Sequence, residues 1–70
     1  MKTRSDAVIA AMPHVDFNKR YYIEDWAWRL DRAEENGCDH EELRIREEAL
    51  EVMLRFAGVS KAYVEARKAK

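Results

Sequence analysis

Apolar residues recur along most of the chain at spacings of three and four, and the recurrence is densest between Leu43 and Ala57. At about 100° per residue, Leu43, Leu50, Met53, Leu54 and Ala57 fall on one side of a helix, and Ile45, Ala49, Val52 and Phe56 on the adjoining side. Together the two sets cover about 200° of arc and leave one polar ridge of Arg44, Glu47, Glu48, Glu51 and Arg55. Such a helix needs partners on two flanks. The pattern predicts a central helix over residues 39–57 whose cover is completed by another chain.

The segment before it predicts a second long helix, residues 16–36, with Asp16 as N-cap. Tyr22, Ile23, Trp26, Ala27, Leu30 and Ala33 share one side, as a core stripe should. Phe17, Tyr21 and Trp28 lie nearly opposite, amid Glu24, Asp25, Arg32 and Glu35. An aromatic patch in a charged surround has the composition of an interface core with a polar rim. Two fates are open to it. Either Phe17, Tyr21, Trp28 and Arg32 contact another molecule, or the N-terminal arm covers Phe17 and Tyr21 while the C-terminal segment covers Trp28.

Between the long helices stands Asn36-Gly37-Cys38-Asp39. Gly37 suits the left-handed conformation that closes a helix, and Asp39 with Glu42 reads as an N-cap with its reciprocal partner. So short a turn folds the helices back antiparallel. Shorter helices are predicted at both ends. Residues 5–12 are capped by Ser5 or Asp6 and ended by Pro13. Residues 60–69 follow the stop at Gly58, with Ser60 as cap. The fold class is all-α: an antiparallel helical hairpin with short terminal helices, completed by dimerisation. The whole is one helical domain, residues 1–70.

Size sharpens this expectation. With 70 residues, a domain buries only roughly 60% of its unfolded surface, and chains of this size draw extra stability from disulfides, metals or association. Cys38 is the only cysteine, which excludes an internal disulfide and suits a reducing, cytoplasmic setting. The apolar run from Ala7 to Met12 is too short to span a bilayer. Association is what remains, and a homodimer is expected.

Charge is unevenly placed. Residues 24–51 carry 11 acidic and 4 basic side chains, against 3 acidic and 9 basic in the flanks. An acidic middle suits a positively charged protein surface. Glu34, Glu35, Asp39, Glu41 and Glu42 crowd the hairpin tip, where helix capping also accounts for Asp39, Glu41 and Glu42. Enzyme chemistry has little to stand on. His14 and His40 have no nucleophile and orienting acid placed beside them, and Cys38 with His40 matches no zinc spacing. No cofactor, metal or catalytic residue is expected.

Phe56-Ala57-Gly58-Val59-Ser60, with Val64 beyond, resembles the turn of a lactose-repressor-type helix-turn-helix. That resemblance implies a turn at Gly58, a core plug at Val59, and Lys61, Ala62 and Tyr63 facing a DNA groove. It covers about ten residues and departs from the pattern at Leu54, where a small residue is usual, and at Arg67, where an aliphatic one is. Across the whole chain, size, charge and helix content resemble small phage-encoded inhibitors of host regulators, of the anti-quorum-sensing or anti-CRISPR type. This implies a non-enzymatic regulator that masks a functional surface of a larger host protein, transcription regulators included. The alternative is nucleic-acid binding, by that turn or by a dimeric hairpin similar to the plasmid-copy-control RNA binders, using Lys19 and Arg20. A third reading is a structural subunit of a larger assembly.

Overall fold

The computed structural model describes residues 2–69. Among the described residues four helices form: α1 (Arg4–Ala11), α2 (Phe17–Glu35), α3 (His40–Phe56) and α4 (Ser60–Lys68). They pack as a ring, with α2 on α3, α3 on α4, and α1 on both α2 and α4. The core runs through the centre of that ring. Val8 and Met12 enter from α1, Ala27 and Leu30 from α2, and Leu43, Leu50 and Leu54 from α3. Ile23, Trp26, Val59 and Tyr63 close its edges. Each fully buried leucine contributes on the order of 2 kcal/mol of apolar burial.

Both long helices end in the same device. Gly37 (φ 81°) and Gly58 (φ 73°) take the left-handed conformation. At the first turn the Cys38 amide donates to Ala33 and the Gly37 amide to Glu34, at 2.9 and 3.1 Å. At the second, Val59 donates to Leu54 and Gly58 to Arg55, both at 3.0 Å. These paired bonds satisfy carbonyls that the helix end would otherwise leave open. Val59 then lies against the core beside Leu54.

Helix starts depart from the sequence expectation. Thr3, not Ser5 or Asp6, caps α1, its hydroxyl accepting from the Asp6 amide at 3.2 Å. Asp39 makes no side-chain cap bond, and Glu42 turns to Arg46 one turn on, at 2.9 Å, instead of reaching back. Val59 is the N-cap of α4, so Ser60 is its first helical residue.

Two apolar assignments are also corrected. Tyr22, expected in the core stripe, is 76% exposed, because α3 meets α2 along Ile23 and Trp26 and leaves the next position outside. Of the two apolar flanks of α3, only the one with Leu43, Leu50 and Leu54 is buried. Ile45, Val52 and Phe56 remain open to solvent, since α2 and α4 both pack toward the leucine side.

Candidate interaction surface

The surface begins with a buried charge. Arg4, the first residue of α1, is 3% exposed. Its guanidinium donates to Asp31 and Glu34 of α2, each at 3.2 Å, and through Nε to Glu47 of α3 at 2.6 Å. Asp31 also accepts from the Arg4 and Ser5 amides at 3.1 and 3.0 Å, and from the Ser5 hydroxyl at 3.0 Å. A carboxylate from α2 thus satisfies amides at the start of α1, where the helix dipole favours negative charge. Burial opposes the Arg4 charge, but its hydrogen bonds to Glu34, Glu47 and Asp31 outweigh it and raise the guanidinium pKa further. Hydrogen bonding to Arg4 holds the Glu34 carboxyl below the usual carboxylate range. Part of the acidic middle of the chain is therefore answered by its own basic N-terminus.

This clamp fixes α1 along one side of α2 and sets Ile9 beside the aromatic stripe. Ile9, Phe17, Tyr21 and Trp28 line one shallow groove of about 330 Å³ between the two helices. All four are 40–53% exposed, so the N-terminal arm borders the stripe without covering it, and the C-terminal segment does not cover Trp28. The Phe17 and Tyr21 rings meet tilted, with centroids 5.7 Å apart. Arg32 lies over the Trp28 ring at 5.1 Å and Arg20 over Phe17 at 5.8 Å. Phe17 and Tyr21 thus pack on each other, and Trp28 on Arg32.

The rim is acidic. Asp6, Glu24 and Asp25 line the groove. Arg20 pairs with Glu24 at 3.2 Å and Arg29 with Asp25 at 3.0 Å. The four residues expected at a contact surface, Phe17, Tyr21, Trp28 and Arg32, thus stand together on one face. Ile9 and Asp6 were not among them. For Ile9 the signal is the apolar side of residues 5–12; Asp6, a charged residue, carries none.

The other expected sites are placed less favourably. Tyr63, which the helix-turn-helix resemblance puts at a DNA groove, packs half-buried against the core, and that burial raises its phenol pKa. Arg67 donates to the Lys2 carbonyl at 2.9 Å. Arg20, named for RNA contact, is held by Glu24 and by the Met12 carbonyl at 3.3 Å. Cys38 is a half-buried thiol whose sulfur lies 3.8 Å from Glu42. Among the described residues no three His, Cys, Asp or Glu side chains gather as a metal site, and no helix is long and apolar enough to cross a membrane. Comparison with protein-family models, curated proteins and solved structures finds no match to this chain.

Proposed function

We propose that the protein is a non-enzymatic regulator or inhibitor, an antiparallel helical hairpin acting as a homodimer, that masks a functional surface of a larger protein. The observation that carries this reading is the groove of Ile9, Phe17, Tyr21 and Trp28, left open and rimmed by carboxylates. Three half-exposed aromatics at one place are an unusual patch for a chain that acts alone. A surface of this kind accepts an amphipathic helix with apolar side chains at its centre and Lys or Arg at its edges. The hairpin is supported by the Trp26 indole, eleven residues before Gly37, donating at 3.1 Å to the Arg46 carbonyl nine residues after it. This is the way of working of small phage-encoded inhibitors of host regulators, with a transcription-regulatory protein in the cytoplasm as the target class. Nucleic-acid binding fits the geometry less well, because carboxylates line the groove and Tyr63 faces inward.

Retention of one host protein by the tagged chain from nuclease-treated bacterial lysate, through a high-salt wash, is the expected result. Trp28→Ala should weaken that binding at least tenfold, as hot-spot truncations do, while helicity and thermal stability stay unchanged. Retention of nucleic acid instead, lost steeply as salt rises, would sink the reading.

A further inference from the structure

The open flank of α3 has its own geometry. Ile45, Ala49, Val52 and Phe56 follow one another at spacings of four, three and four, the seam of a two-helix coiled coil. Ile45 is 60%, Val52 41% and Phe56 89% exposed, and none of them lines the aromatic groove. Ala49 and Val52 stand at the middle of the seam and the two larger side chains at its ends. Small residues at the centre let two helix backbones approach closely while Ile45 and Phe56 fill the space at either end.

We propose that α3 pairs with α3 of a second copy, antiparallel, about a two-fold axis between Ala49 and Val52. This gives the dimer of the proposed function its interface and rests on that part of the reading alone; the groove is not needed for it. In this register Ala49 faces the partner's Val52, and Ile45 faces the partner's Phe56. The charges beside the seam choose the direction. Glu48 and Arg55 lie on the same edge, seven residues apart, and antiparallel pairing sets Glu48 of each copy across from the partner's Arg55, twice by symmetry. Parallel pairing sets Glu48 against the partner's Met53, and its one opposite-charge pair, Glu41 with the partner's Arg46, lies at the end of the seam, where Arg46 is already held by Glu42 at 2.9 Å. Among the described residues Glu48 forms an ion pair with Arg44, at 3.9 Å with both side chains about two-thirds exposed. A seam of three turns covers less than the roughly 800 Å² per partner of a standard interface, so the dimer should come apart on dilution.

Sedimentation of the full chain from micromolar to millimolar concentration is expected to show a monomer–dimer equilibrium. Val52→Glu should leave a monomer with an unchanged circular dichroism spectrum. Glu48→Arg and Arg55→Glu should each weaken the dimer about tenfold by facing like charges, and the two changes combined should restore it. Trp28→Ala should leave the equilibrium where it was, so failure of the groove reading and failure of the dimer are seen separately. A chain that stays monomeric throughout, a dimer that survives Val52→Glu, or a double exchange that does not recover would each overturn the proposal.

Discussion

Arg4 faces inward where carboxylates of two other helices, α2 and α3, answer its buried charge at once. Removing it leaves Asp31, whose side chain is 14% exposed, without its main counter-charge, while Glu34 and Glu47 can turn to water. Breaking a fully enclosed pair costs about 3–5 kcal/mol; here Arg4→Met should cost about 2 kcal/mol, measurable by urea unfolding followed by circular dichroism. Acid gives a second check. The Glu34 pKa is lowered in the folded chain, so its contribution is present above the ordinary carboxylate pKa and is lost as pH falls through the depressed value. Stability should drop on acidification, and Glu34→Gln should flatten that drop. This cluster was only half legible in the sequence. The opposed charges of middle and flanks were visible, but positions 4, 31, 34 and 47 share no local pattern, and their meeting depends on how α1 docks.

At the scale of elements, helix ends were readable where backbone conformation alone decides them. Gly37 and Gly58 announced their turns because a left-handed residue there has few substitutes. Nothing lies within 4 Å of a Cβ added at either position, so substitution brings conformational strain without a clash. Gly37→Ala and Gly58→Ala should each cost about 1–2 kcal/mol, with Gly37→Asn milder, as thermal unfolding would show. Helix starts were less readable. Two serines, a threonine and three aspartates stand near these starts, each chemically able to cap, and tertiary contacts chose among them: Asp31, from another helix, does for α1 part of what a local cap would do. Tyr22 shows the same limit on a helix face. Angular position put it with Ile23 and Trp26, but a neighbouring helix covers a narrower arc than the apolar residues occupy.

At the scale of the whole molecule, α1 is a connector. It meets both α2 and α4, whereas α4 otherwise has only α3 to rest on. A chain lacking residues 1–12 should therefore lose more helical signal than the eight residues of α1 account for, because α4 loses its cover too. A loss confined to those eight residues, seen by circular dichroism, would show that α1 is merely an appendage. The all-helical class followed from periodicity, which depends on neighbours in sequence. The closure of the ring did not, because it depends on residues that meet from opposite ends of the chain.

That closure bears on how fast the molecule forms. The Arg67 guanidinium rests on the Lys2 carbonyl, 65 positions away along the chain, and the clamp at Arg4 spans 27 to 43 positions. Contacts so distant along the chain slow folding, since a long loop must be closed before they are gained. A circular permutant that joins the two ends through a short flexible linker and opens at Gly58 would make the α1–α4 contact local. Its refolding, followed by tryptophan fluorescence after a denaturant jump, should be faster than that of the original order.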